Sequence, residues 1–180
     1  MATQKNIVEE VFPETLKILS DLIKFQTVSG TSNIELIDYC EKKLSSSGAI
    51  SFKTFDEAKL RANLFSTISG KNKLNGGGII LSGHTDVVPA SAKEWSSHPY
   101  TSTNKDGKIY GRGSCDMKGF IACTIALAPY FASQNLKKPI HFSFTYDEET
   151  ACQGAPVLIE ELKKRKINCS ICIVGEPTNM

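Results

Sequence analysis

The sequence has no block of basic residues, no long apolar segment and no paired CxxC motifs, and each absence excludes a class of protein. Its 21 basic and 19 acidic residues are mixed along the chain, so nucleic acid is not an expected partner. No segment is long and apolar enough to span a bilayer, so we expect no membrane partner. The N-terminus lacks the apolar core of a secretory signal, which predicts a cytoplasmic protein.

Cysteine is present, but not in the pattern of a disulfide-rich or zinc-binding domain. The six cysteines are scattered, at positions 40, 115, 123, 152, 169 and 172, which is typical of reduced cytoplasmic thiols. Cys169 and Cys172 have CxxC spacing, but the residues between them continue a strand pattern, in which side chains three apart point to opposite faces. We therefore expect no structural zinc ion there.

Strand and helix patterns alternate along the 180 residues. Helical spacing of apolar residues covers residues 13–24, 33–46, 120–131 and 154–165, with Pro13 in a first turn and Asn33 as a cap. Strand patterns cover residues 51–55, 63–68, 79–81, 140–146 and 171–174, with a turn at 70–78 and a long loop at 90–106. This order predicts an α/β domain with a mixed, mostly parallel and largely buried sheet flanked by helices.

Acidic residues and a histidine follow the apolar segments. In open α/β sheets, sites form outside the carboxyl ends of the strands. Three strand patterns end in such residues, and a glycine-rich segment at 111–119 carries another before a helix. The candidate site residues are His84, Asp86, Asp116, Glu148, Glu149 and Glu176.

This set of side chains is suited to a divalent metal. One imidazole with several carboxylates suits zinc, manganese or cobalt, and a shared carboxylate holds two ions about 3.5–4 Å apart. His84 and Asp86 share a face of an extended strand, so the carboxylate can fix the tautomer of the ring. Of the adjacent Glu148 and Glu149, one can bind metal while the other moves a proton. Each signal alone also fits polar residues in a turn, but their common position favours a metal site.

Other interpretations of the same segments are less well supported. Residues 111–119 have neither GxGxxG nor GxxxxGK[ST] spacing, so nucleotide binding is weakly indicated. Cys115 is a candidate soft ligand or nucleophile, but no histidine adjoins it, and we expect a buried thiol. His98 lies in a polar loop and His141 lies early in a strand pattern, so we expect neither to bind metal.

A longer series of motifs, in order along nearly the whole chain, resembles the co-catalytic zinc aminoacylase and carboxypeptidase family. The motifs are GHTDVVP at 83–89, Trp95, Pro99, DG at 106–107, GRGSCDMKG at 111–119, DEE at 147–149 and GEPT at 175–178. Within the family, segments 25–29, 32–38, 61–64 and 115–120 favour the acetylornithine deacetylases over the neighbouring succinyl-diaminopimelate desuccinylases. The resemblance implies a metal-dependent hydrolase that converts N-acetyl-L-ornithine, an N-acylated amino acid, into L-ornithine and acetate in arginine biosynthesis.

The resemblance also implies a role for each candidate residue. The implied ligands divide between two Zn2+ ions. His84 and Glu176 would bind the first ion, Glu149 would bind the second, and Asp116 would bind both. Co2+ is the implied substitute for Zn2+. Asp86 is implied to orient His84, and Glu148 to act as the general base. A cis peptide bond is implied between Asp116 and Met117.

Members of this family have a catalytic domain that is interrupted by a lid or dimerisation domain and then resumes to supply a last histidine ligand. The sequence ends at Met180, close to where that insertion begins. The resemblance therefore implies that residues 1–180 are the N-terminal portion of the catalytic domain, without the lid domain or the C-terminal part. We expect at most residual hydrolysis by this chain alone and one metal ion bound more readily than two.

Two alternatives stay open from the sequence. One is desuccinylation of a diaminopimelate precursor, and the other is a noncatalytic binding module derived from the same fold. A homodimer is expected for the full-length parent enzyme, but the sequence does not extend that expectation to this chain.

Overall fold

The computed structural model describes residues 6–71 and 77–178. Residues 1–5, most of the turn at 70–78 and residues 179–180 lie outside this range. The helices are α1 Ile7–Lys24, α2 Ile34–Ser45, α3 Lys118–Ser133 and α4 Gly154–Lys164, and a short 3-10 helix covers Ala92–Glu94. The strands are β1 Ile50–Phe55, β2 Ala62–Ile68, β3 Ile79–His84, β4 Thr103–Lys105, β5 Lys108–Tyr110, β6 Ile140–Thr145 and β7 Ile171–Val174.

Five strands form one mixed sheet in the order β1-β2-β6-β3-β7. Strands β1, β2 and β6 pair antiparallel, whereas β6, β3 and β7 pair in parallel. The prediction of a mixed α/β sheet flanked by helices is confirmed. His84 at the end of β3 pairs with Thr145 at the end of β6, so the residues that follow both strands lie at the same edge of the sheet.

Helices cover both faces of this sheet. Leu64 and Phe65 are consecutive residues of β2, and their side chains enter different core clusters because neighbouring strand residues point to opposite faces. Leu64 lies in the larger cluster with residues of α1, α2 and α3, whereas Phe65 packs with Leu158 of α4. Every residue of β2 is therefore buried.

The two N-terminal helices differ from prediction at their starts. Helix α1 begins at Ile7, where the Asn6 side chain accepts a hydrogen bond from the Val8 amide, and Pro13 lies inside it. The apolar pattern marked only the buried half, because the first turns are exposed. The Asn33 side chain does not cap α2; it is buried and donates hydrogen bonds to Ala62 O and Thr85 Oγ1.

Strand β7 and the loop at 90–106 also depart from the prediction. Strand β7 lies at the edge of the sheet with all four side chains exposed, Ile171 by 55 % and Val174 by 57 %. The predicted loop contains the start of the β4–β5 hairpin, whose turn places Asp106 and Gly107 at positive φ. Asp-Gly between two short strand patterns is a known hairpin signal. Cys115, expected to be a buried thiol, is exposed.

Among the helices in the described ranges, none is both long and apolar enough to cross a membrane.

Candidate metal centre

The carboxyl edge of the sheet brings together side chains from four separate parts of the chain. His84 is the last residue of β3, and Asp86 lies two residues beyond it. Asp116 lies in the turn before α3, and Glu176 follows β7. Glu148 and Glu149 lie in the loop after β6. Parallel pairing of β3 with β6 and β7 gives the strand-end residues a common edge.

The His84 ring lies at the centre of this group. Its Nε2 atom is 3.0 Å from Asp116 Oδ1, 3.5 Å from Glu176 Oε1 and 3.9 Å from Glu148 Oε2. Two sets of donor atoms lie within 4.8 Å of one another, His84 with Asp116 and Glu149, and His84 with Glu148 and Glu176. Glu148, the implied base, thus belongs to one of these sets together with the implied ligand Glu176, and proximity to His84 does not by itself separate the two roles.

Asp86 fixes the tautomer of His84. Nδ1 of the ring lies 2.9 Å from the Asp86 carbonyl oxygen and 3.4 Å from Asp86 Oδ1. Because a carbonyl oxygen only accepts hydrogen bonds, Nδ1 carries a proton and donates it. In the neutral ring, the lone pair of Nε2 is therefore directed at the carboxylates.

The Asp86 carboxylate does not face the same space; it is buried and fully hydrogen-bonded. Ser29 Oγ donates to Oδ2 at 2.7 Å, and the amides of Glu148 and Glu149 donate to Oδ1 and Oδ2 at 3.0 and 3.3 Å. Burial alone raises the pKa of Asp86, but the hydrogen bonds from His84 and Ser29 outweigh it and lower the pKa overall. Asp86 thus stays ionised and holds both the ring and the loop after β6.

Electrostatics at the edge favour a bound cation. Burial lowers the pKa of His84, but the contacts with Asp86 and the charge of Glu176 raise it overall, to about 9. Burial and the nearby Asp116 carboxylate raise the pKa of both Glu149 and Glu176. Among the described residues, no lysine or arginine forms an ion pair with these carboxylates. The negative charge gathered here is therefore not compensated by a lysine or arginine side chain of the described residues.

The donor set fits a zinc ion in type and in spacing. Ligand atoms about 2.0–2.2 Å from a tetrahedral zinc lie about 3.3–3.6 Å apart. The separations of 3.0 Å to Asp116 and 3.5 Å to Glu176 from His84 Nε2 are close to that spacing. Imidazole nitrogen and carboxylate oxygen are also donors that zinc and cobalt accept.

The glycine-rich segment contains one expected feature and one that was not predicted. The expected feature is the cis peptide bond between Asp116 and Met117. The other is Lys118, which is fully buried and donates from Nζ to the carbonyls of Leu22 at 3.1 Å and Phe25 at 2.7 Å. Burial lowers the pKa of Lys118 to about 7. Nothing in the local pattern distinguishes this lysine from an exposed one, since its partners lie at the distant end of α1.

Comparison with known proteins places these features in a family. Residues 80–180 match the family model described as Peptidase family M20/M25/M40. The chain is 34 % identical over 173 residues to an acetylornithine deacetylase of Myxococcus xanthus and 36 % identical over 178 residues to one of Pasteurella multocida (strain Pm70). These matches cover 95 % and 93 % of this chain, but 44 % of each relative. The chain therefore spans less than half the length of these relatives.

Solved structures share the fold. Human carnosine dipeptidase 1 superposes with a TM-score of 0.80 at 21 % identity, covering 96 % of this chain and 41 % of that chain. An M20 family metallo-carboxypeptidase from Sulfolobus solfataricus, Sso-CP2, gives a TM-score of 0.75 at 21 % identity, covering 90 % and 37 %. The arrangement of strands that brings His84 and the carboxylates together is thus a known one.

Proposed function

Because the chain belongs to peptidase family M20/M25/M40, we propose that it carries most of the metal centre of an amide hydrolase that acts on N-acylated amino acids. The observation that carries this proposal is the grouping of one buried imidazole with four carboxylates that have no lysine or arginine partner among the described residues. We propose N-acetyl-L-ornithine as the substrate and L-ornithine and acetate as the products. Relatives named acetylornithine deacetylase, at 33–36 % identity, support this choice.

Each residue of the site has a proposed role. The ligands would divide between two Zn2+ ions: His84 and Glu176 on the first, Glu149 on the second, and Asp116 on both. Bound there, a divalent cation supplies Lewis-acid polarisation of the amide carbonyl and lowers the pKa of water. Asp86 holds the Nδ1 proton of His84, which keeps Nε2 available as a ligand.

Glu148 is the proposed general base and then the general acid. Its carboxylate removes a proton from the attacking water as the bond between the water oxygen and the carbonyl carbon forms. The same carboxyl group then gives that proton to the amine nitrogen as the bond between carbon and nitrogen breaks. The Asp86 carboxylate accepts a hydrogen bond from the Glu148 amide at 3.0 Å, so the base is fixed to the same residue that orients His84.

The length of the relatives bears on the activity of this chain. Since the chain spans 44 % of these relatives, we propose that residues 1–180 form the N-terminal portion of a catalytic domain in a longer, cytoplasmic and dimeric enzyme of arginine biosynthesis. On this proposal the chain alone binds one Zn2+ ion more tightly than a second and has at most residual activity. Zinc titration combined with an activity assay tests this, and full turnover with two tightly bound ions would contradict it.

Substitution of Glu148 tests the proposed chemistry. The substitution is made in the full-length enzyme proposed above. There, Glu148→Ala should reduce turnover of N-acetyl-L-ornithine by a factor of about 100 to 10,000, the usual contribution of general acid–base catalysis. The zinc content should stay unchanged. Glu160→Ala is the matched control, since Glu160 is an exposed acid on α4. Unimpaired turnover by the Glu148 variant would remove it as the base, and faster turnover of N-succinyl-diaminopimelate by the unaltered protein would reassign the substrate.

A further inference from the structure

The loop at residues 147–153 carries Glu148 and Glu149, and two side chains at or just before the start of β2 hold both of its ends. Leu64 of β2 pairs antiparallel with Phe144 of β6. The start of β2 therefore lies beside the end of β6, where the loop begins. The residues involved are Arg61 and Asn63, whose motif RANL at 61–64 has no direct part in the metal centre.

Asn63 connects the two ends of the loop. Its Oδ1 atom accepts a hydrogen bond from the Tyr146 amide at 3.2 Å, and its Nδ2 group donates to the Gly154 carbonyl at 2.9 Å. The contact leaves no room for a side chain at position 154, since a Cβ there would lie 2.5 Å from Asn63 Oδ1. The span from Tyr146 to Gly154 is thus closed by one buried amide.

Arg61 holds the first residue of the loop. Asp147 is 1 % exposed, and both of its carboxylate oxygens are used: Oδ2 pairs with Arg61 Nη1, and Oδ1 accepts from the Gly30 amide at 2.9 Å. Arg61 is itself fixed, because its Nε donates to Asp56 Oδ2 at 2.9 Å and its guanidinium lies 5.4 Å from the centre of the Tyr146 ring. The Asp147 side chain therefore has a single defined orientation.

The backbone of Asp147 sets the direction of the residues that follow. Its φ is +52°, a left-handed conformation that residues other than glycine seldom adopt. Beyond this turn, the amides of Glu148 and Glu149 both point at the Asp86 carboxylate. Asp147 and Asp86 therefore hold the same short segment from its two sides, and Ser29 and Gly30 link the two aspartates.

We propose that Arg61 and Asp147 form a positioning pair that sets the metal affinity of the site by holding Glu148 and Glu149 in place. Neither residue is among the donor groups around His84, so the pair acts through the backbone of the loop. This inference rests on the proposed function only in requiring that a divalent metal binds at His84. Because the Asp147 side chain is buried, loss of Arg61 would leave its charge unpaired, so this ion pair constrains the local geometry strongly.

Cobalt binding to the 180-residue chain tests the pair without any assay of hydrolysis. Titration with Co2+, followed by its visible absorption spectrum, reports affinity and ligand geometry together. Asp147→Asn and Arg61→Met should each weaken Co2+ binding by about 10-fold to 100-fold, the range found when groups that orient metal ligands are removed, and should change the shape of the spectrum. Arg61→Lys, which restores a cation, should recover part of the loss.

Lys53→Met is the matched control, because it removes a cation that pairs with Asp38 and Glu41 and leaves Arg61 and Asp147 untouched. It should keep Co2+ affinity within about twofold. Equal affinities in all folded variants, or an equal loss in the Lys53 variant, would overturn the positioning role. If circular dichroism shows Asp147→Asn to be unfolded, the Co2+ affinities of the two Arg61 variants decide. An affinity of Arg61→Lys between those of Arg61→Met and the unaltered chain supports the positioning role, and equal affinities of the two variants contradict it. An unaltered chain that binds no Co2+ would contradict the proposed function, and the positioning role with it.

Discussion

Two buried histidines on neighbouring parallel strands have opposite surroundings. Ile80 of β3 pairs with His141 of β6, so His84 lies four residues further along the sheet. His84, at the carboxyl end, faces Asp116 and Glu176 through Nε2. His141, near the amino end of β6, bonds Thr67 Oγ1 at 2.9 Å and Gly77 O at 3.1 Å and stacks on Phe65.

Both rings are buried, so their position along the strand, and not burial, determines whether the histidine can bind a metal ion. Burial lowers the pKa of His141, whereas contacts with Asp86 raise the pKa of His84 to about 9 in spite of burial. Nε2 of His141 donates to the Gly77 carbonyl, so Nδ1 accepts from the Thr67 hydroxyl and no lone pair is left for a metal. In His84, Nδ1 likewise donates to a carbonyl oxygen, but Nε2 faces the carboxylates of Asp116 and Glu176, where a metal ion can replace its hydrogen bond to Asp116.

Replacing each histidine in turn gives the largest expected contrast. His84→Gln should weaken Zn2+ binding by more than about 100-fold, since loss of a ligand should exceed the loss caused by removing a group that only orients one. His141→Gln should keep the affinity within about twofold, because its ring has no contact with the carboxylates. Isothermal titration calorimetry with Zn2+ measures both values, and similar losses in the two variants would remove the distinction.

The Asp86 carboxylate supplies an intermediate effect. Asp86→Asn keeps the shape of the side chain but places an amide where Ser29 and two loop amides now donate to a charged group. We expect Zn2+ binding to weaken by about 10-fold to 100-fold. The same calorimetric titration applies, and Asp38→Asn, at an exposed carboxylate on α2, is the control. An unchanged affinity would show that the Asp86 backbone carbonyl alone suffices to orient His84.

His141 should have its own, smaller effect, on stability. Because burial holds its folded-state pKa below the unfolded value of about 6.5, the unfolded chain takes up the proton first as the pH falls. The contribution of His141 to stability is therefore complete above pH 6.5 and is lost as the pH falls towards the folded-state pKa. His141→Gln should lower the free energy of unfolding by about 1 kcal/mol at pH 7.5 and reduce its fall between pH 7.5 and 5.5. Urea unfolding at both pH values measures this, and an identical pH dependence in the two proteins would contradict it.

The different positions of His84 and His141 in the sheet could be predicted from the sequence. Apolar segments that stop abruptly at His84 and at Asp147 to Glu149 mark strand ends, and parallel strands align those ends at one edge. The same reasoning placed His141 early in its strand and outside the site. These apolar patterns are local in the sequence. The positions of the strand ends, and the face on which each side chain lies, follow from them and from the order of the strands and helices.

The remaining features depend on contacts between distant segments. Asn33 has the residue type and position of a helix cap, yet its amide is used by Ala62 and Thr85. Arg61 and Asp147 are 86 residues apart in the sequence, and no local pattern at either residue indicates that the two side chains form an ion pair. The exposed β7 has the same apolar composition as a buried strand, so only the sheet order reveals that it lies at the edge.

Crystals of the chain grown with Zn2+ and measured at the zinc absorption edge would show whether His84 and Asp116 bind the same zinc ion. We expect an anomalous peak about 2.0–2.2 Å from His84 Nε2 and from an Asp116 carboxylate oxygen, the usual zinc bond lengths, with the Nδ1 contact to Asp86 retained. A zinc peak elsewhere, with His84 Nε2 still hydrogen-bonded to Asp116, would contradict it.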